Sequence, residues 1–160
     1  MTVRDRCGAL LLLGCITGIP ANAAAQEACL LTPAELESAT GRAFTEGVPG
    51  VEVGSNVPLC HYAEVERPQR RLTIGLLRES SRARFEASQR LLTRGNDSIA
   101  LPDVGSAAYF NGTAAGVLAG DIFIRISNLR RGASQDPEIS PEQARTLLQA
   151  ALDRAVAPGR

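Results

Sequence analysis

The single histidine of the chain, His61, directly follows Cys60, and an imidazole beside a sulfur suits an activated thiol or a pair of metal ligands. The spacing supports neither. The other cysteines are Cys7, Cys15 and Cys29, whereas a structural zinc site takes about four ligands at short, paired spacings. No metal site and no cofactor is expected. The sequence has no Gly-x-Ser-x-Gly elbow, no His-Glu-x-x-His and no phosphate-binding loop, so a hydrolase would have to bring His61 together with a carboxylate or hydroxyl through the fold. Glu35 and Glu37, two apart on a helix, would not face each other. Glu64 and Glu66 share a strand face, but beside Arg67, Arg70 and Arg71 they read as solvated charge partners.

The cysteines sort by compartment. Arg4 and Arg6 precede an apolar run over residues 7–19, then Pro20 and the small-residue stretch Ala21-Asn22-Ala23-Ala24-Ala25-Gln26. These are the parts of an export signal cleaved between Ala25 and Gln26, giving a signal peptide over 1–25 and one exported domain over 26–160. The alternative is a lipobox at Leu12-Leu13-Gly14-Cys15, with a lipid anchor on Cys15. The apolar run falls short of the roughly 20 residues that a membrane-spanning helix needs, and no later run is longer, so no membrane span is expected. The implied location is the periplasm or the exterior, or the outer envelope if Cys15 is lipidated. Cleavage removes Cys7 and Cys15, leaving Cys29 and Cys60 as one disulfide in an oxidising compartment. Closing that loop contributes about 3–4 kcal/mol on the chain-entropy account.

Charge excludes a further class. The whole chain has a formal net charge of +0, and losing Arg4, Arg6 and Asp5 with the signal leaves about −1. A general nucleic-acid binder depends on a basic surface that makes many phosphate contacts, so no nucleic-acid partner is expected.

The elements that must position these residues are legible from caps and periodicity. Thr32, Pro33 and Glu35 spell a capping box with proline at the first helical position, Leu31 and Leu36 are spaced as a hydrophobic staple, and Gly41 is a stop. Ser140, Pro141 and Gln143 repeat that grammar ahead of Ala144, Leu147, Leu148, Ala151, Leu152 and Ala155, which fall on one helical face. A third helix is expected over 81–94, with Phe85, Ser88 and Leu92 as its inner stripe, Ala87 and Leu91 beside it, Arg82, Arg84, Glu86 and Arg90 outside, and Gly95 as its end. Residues 60–65 pair with the alternating Leu72, Ile74 and Leu76 as a hairpin across Arg67-Pro68-Gln69. Turns at Asn111-Gly112 and Gly120-Asp121 define a three-strand meander through Ile122, Ile124 and Ile126. Residues 47–58 and 132–141 read as long loops. The class is α+β: an antiparallel sheet of hairpins and meanders with about three helices, in the order helix-strands-helix-strands-helix, the helices covering one sheet face.

The run Ala28-Cys29-Leu30-Leu31-Thr32-Pro33-Ala34-Glu35-Leu36-Glu37 with Gly41, then Cys60-His61-Tyr62, then Leu101-Pro102-Asp103-Val104-Gly105-Ser106-Ala107-Ala108-Tyr109-Phe110, resembles a group of exported bacterial domains of unknown function. Many of those are lipoproteins or sensor-like extracellular domains. The resemblance implies an α+β fold and an envelope location, and carries over no catalytic residue.

The functional expectation is therefore a non-enzymatic module, held by one disulfide, that binds an unidentified envelope protein or small ligand. Its class alternative is a small envelope hydrolase using His61. One anion-binding candidate exists: Arg67, Arg70 and Arg71 at one turn and Arg130 and Arg131 after the last strand would meet if the sheet brings those two ends together.

Overall fold

The computed structural model describes residues 25–92, 98–129 and 139–157. The order is α1 (Pro33–Thr40), β1 (Val48–Val51), β2 (Pro58–Ala63), β3 (Arg71–Leu77), α2 (Arg82–Leu92), β4 (Ile99–Ala100), β5 (Ala107–Phe110), β6 (Ala114–Ala119), β7 (Ile122–Leu129) and α3 (Pro141–Val156). This is the expected α+β class in the expected order. Residues 1–24, which hold the signal segment and Cys15, lie outside the described residues, as do Gly95, Arg130, Arg131 and most of the expected 132–141 loop.

Both proline-headed helices start as their caps dictate. The Thr32 and Ser140 hydroxyls accept from the backbone N–H of Glu35 and Gln143, whose side chains reach back to the cap backbone, and Gly41 closes α1 in the left-handed conformation. Pro33 and Pro141 sit where a helix has no use for a backbone donor.

All seven strands form one antiparallel sheet in the order β1-β2-β3-β7-β6-β5-β4. Two meanders, β1-β2-β3 and β4-β5-β6-β7, are joined where β3 pairs with β7, with Ile74 opposite Ile126. Residues 47–58 are more than the expected loop, because they include β1, an edge strand that pairs Val48 with His61 and Val51 with Pro58. Its one glycine, one proline and exposed valines conceal the strand from a pattern search; an edge strand has little to bury.

The helices do not all cover one face. On one side, Cys60, Tyr62, Leu72, Ile74, Leu76, Val117, Ile124 and Ile126 meet Leu36 of α1 and the Leu147, Leu148 and Ala151 stripe of α3 in the main core. On the other, Phe85 of α2 meets Tyr109, Leu118 and Phe123. The connection explains this correction. The β3 and β4 strands run parallel with three strands between them, so the intervening α2 must cross the sheet, and it passes over β7, β6 and β5. Of these, β5 and β6 are buried on both faces along most of their length and hold no charged residue. Phe85 makes edge-to-face contacts with Tyr109 (5.5 Å between centroids) and Phe123 (5.3 Å).

Candidate functional site

The sequence-predicted residues fall at three separate places. The first is a clamp on the segment entering α1. Cys29 and Cys60 are disulfide-bonded with their Cα atoms 5.0 Å apart. Two residues along β2 on the same face, the Tyr62 hydroxyl meets the backbone of Leu31. From α3, Arg154 donates to the Leu30 carbonyl at 2.8 Å and engages both carboxylate oxygens of Glu35. Burial alone would raise the Glu35 pKa, but hydrogen bonds from the Thr32 backbone and hydroxyl, together with Arg154, hold it below the ordinary carboxylate value. The clamp is structural in chemistry: a cross-link, a buried phenol and a forked ion pair with no open coordination position. Ala25 and Gln26, the expected cleavage residues, lie just before it; Ala28 N–H donates to the Ala25 carbonyl at 3.2 Å, and Ala25 is buried.

His61 lies on the opposite face of β2. Its Nδ1 shares a 3.0 Å hydrogen bond with the Thr73 hydroxyl of β3, so the hydroxyl partner that a hydrolase would need is present. The electrostatics run against that use. Burial and then the Arg71 charge lower the His61 pKa, whereas a triad histidine is oriented by a carboxylate that stabilises its protonated form. Thr73 is only 6 % exposed, which leaves its oxygen poorly placed to attack a substrate.

The third place is the sheet end with the arginines. Arg67 and Arg71 are exposed and Arg70 is half-buried. The register sets Arg71 opposite Leu129, so β7 ends beside the turn that carries these residues; Arg130 and Arg131 follow outside the described residues. Glu64 corrects the expectation of a solvated carboxylate. It is 5 % exposed and ion-paired with Arg42 at 3.5 Å, because an isolated bridge between Phe44 and Glu64 lays the chain after α1 along the end of β2.

A groove that the sequence did not reveal lies on the α2 face. A cavity of about 220 Å³ opens between α2 and the 52–57 turn, lined by Glu52, Val57, Leu77, Arg84, Phe123 and Arg125 among others. It shares Ser55, Val57, Leu77 and Arg84 with a second cavity of about 310 Å³ that continues past Pro58 to Arg78 and Glu27. The floor is apolar and its ends are charged. At one end Arg125 Nη2 donates to Glu52 at 2.8 Å, and Ser55 Oγ donates to the same carboxylate at 2.6 Å; these bonds, Ser55 first, lower the Glu52 pKa. At the other, Arg78 pairs with Glu27 at 3.0 Å. Gly75 lies beside this position: a Cβ there would come 3.3 Å from Leu59, a tight contact, and 3.9 Å from Arg125 Nε, an ordinary one.

Arg84 stands at the middle of this groove, in both cavities. The sequence places it on the solvent side of α2; it is exposed as expected, and at the same time lines the groove. Leu91, 63 % exposed, lines the same cavity one side over. Beneath α2, burial pushes the Tyr109 phenol pKa up, partly offset by Ser88 and Arg125. Ser88 acts on that hydroxyl from outside hydrogen-bonding geometry, since Tyr109 Oη is buried without a bonded partner.

A larger cavity of about 640 Å³ lies between the entering chain and the end of α3, lined by Cys29, Leu30, Arg154 and Val156 among others. Its walls run to Gln26 and Ala157. Among the described residues, no group of three or more histidine, cysteine, aspartate or glutamate side chains is gathered to hold a metal ion. No described helix is long and apolar enough to cross a membrane.

Compared with known protein families, with curated proteins and with solved structures, the chain has no match in any of the three.

The groove escaped the sequence for a definite reason. Glu52 and Arg125 are 73 residues apart, and Arg84 sits in a helix rich in charge, where nothing distinguishes a rim residue from a solvated one. Leu91, expected beside the inner stripe of that helix, is instead 63 % exposed at the groove wall.

Proposed function

We propose that this protein is an exported, non-enzymatic binding module that takes a small ligand in the groove between α2 and the 52–58 turn. The observation that carries the proposal is the pair of joined cavities, about 220 and 310 Å³, with an apolar floor and charged ends. Concave, largely apolar sites with a few fixed polar groups are the usual form of small-ligand sites. Export to the periplasm or exterior is supported by the signal-like segment through Ala25, by the resemblance to exported bacterial domains, and by the Cys29–Cys60 bond. The absence of enzymatic activity is supported by the lowered His61 pKa and the burial of its Thr73 partner.

Two measurements test this. Native mass spectrometry of the protein isolated gently from its source is expected to show an added small-molecule mass that disappears on denaturation. Fractionation is expected to place the processed chain, starting at Gln26, outside the cytoplasm. A full-length chain retained inside the cell, carrying no ligand and with both thiols free, would falsify the proposal.

A further inference from the structure

We propose that the ligand of this groove is a small amphiphile with one anionic head group, its head at Arg84 and its apolar body along Val57, Leu77, Phe123 and Leu91. This rests on the groove being the binding site and specifies what it takes. The charges lining the groove are Glu27, Arg78, Glu52, Arg125 and Arg84. Four are matched within the protein, Arg78 with Glu27 and Arg125 with Glu52. The neighbouring Arg82 on α2 is also matched, with Glu86. The Arg84 side chain has no ion-pair or hydrogen-bond partner among the described residues; its backbone N–H donates to Ser81 Oγ at 3.2 Å. The groove therefore carries one uncompensated positive charge, borne by a group whose forked donors suit a carboxylate or phosphate.

The apolar part has equally specific support. Leu91 is a large aliphatic side chain left 63 % exposed at the wall of the cavity that Val57 and Phe123 also line. Covering it removes apolar surface from water. A cationic amphiphile would meet Arg84 with like charge, and a small anion without a tail would leave Leu91 and the floor wet. Arg84 is the one charged residue among the four that the two cavities share, so a head placed there leaves the 220 Å³ side for the tail.

The test uses the purified, disulfide-bonded protein labelled with ¹⁵N and titrated with decanoate, decyltrimethylammonium or acetate, each kept below any micelle concentration. Decanoate is expected to shift the amide resonances of Ser55, Ala87, Ser88 and Leu91. Decyltrimethylammonium and acetate are each expected to bind at least about tenfold more weakly, and Arg84→Gln to weaken decanoate binding by about tenfold. Arg84→Lys should recover part of that loss. Arg84 is exposed, so neither variant threatens folding, and matching amide spectra of the free proteins would verify it. Equal groove binding by the two amphiphiles, or unchanged decanoate affinity in Arg84→Gln, overturns the anionic head group and leaves the groove as the site. Absence of groove shifts with both amphiphiles, or shifts confined to the cavity at the end of α3, overturns the head group and the groove together.

Discussion

The Tyr62 hydroxyl and the backbone of Leu31 hold each other in both directions: the hydroxyl donates to the Leu31 carbonyl at 2.8 Å and accepts from the Leu31 N–H at 3.3 Å. Cys60 and Tyr62 share one face of β2, so the disulfide and this phenol grip neighbouring points of the segment leading into α1. Replacing Tyr62 by Phe removes the one group that satisfies two buried backbone atoms. The expected cost is about 1–3 kcal/mol in urea unfolding. Removing the disulfide with Cys29→Ser and Cys60→Ser together should cost about 3–4 kcal/mol. Intact mass after alkylation checks the premise, since the native protein should take up no alkyl group at either cysteine.

The Glu35 carboxylate, on α1, is tied to Arg154 near the end of α3. Its folded pKa lies below the ordinary value of 4.5. A carboxylate with a depressed folded pKa contributes stability that is present above its unfolded pKa and is lost as the pH falls through the folded one. Stability should therefore drop on acidification below about 4.5, and Glu35→Gln should flatten that part of the curve. The same slope in Glu35→Gln as in the natural protein would assign the acid dependence to other carboxylates.

His61 should titrate below 6.5, because burial and then Arg71 disfavour its protonated form. The sign follows from linkage: the unfolded chain takes up a proton at higher pH than the folded one, so this group destabilises the fold as the pH falls from 6.5 toward its lowered value. An NMR titration of the imidazole is expected to give a midpoint under 6.5, moving upward in Arg71→Gln. A midpoint above 6.5 would indicate a carboxylate acting on the ring and restore the hydrolase alternative.

Gly116 lies directly under the Tyr109 ring, where a Cβ would come within 2.5 Å of Tyr109 Cε1 and 3.1 Å of Phe123 Cε2. Both rings are the surface on which Phe85 seats α2. Gly116→Ala should destabilise the protein by about 1–3 kcal/mol through overpacking. It should also weaken ligand binding in the groove, although residue 116 does not line it. Calorimetric unfolding and the decanoate titration together check this; lost stability with unaltered binding would mean that α2 keeps its seat.

Local chemistry determined much of this protein in advance. The Thr32-Pro33-Glu35 and Ser140-Pro141-Gln143 caps act over three residues, and the hairpin turns over two. Such features depend on near neighbours along the chain, so the sequence alone carries them. Tertiary structure decided the rest. The β3–β7 pairing joined the two meanders and forced α2 to cross the sheet, which it does on the face opposite α1 and α3. The short edge strand β1 stayed hidden because half-exposed edges leave little hydrophobic pattern, and Glu64 went from an expected solvated carboxylate to a buried one when the 42–46 segment folded over it. The groove belongs wholly to this second category: Glu52, Arg84 and Arg125 come from a turn, a helix and a strand. Matching charges across a sheet is a property of register and helix rotation, and that match, which leaves Arg84 without an ion-pair partner among the described residues, exists only once the chain has folded.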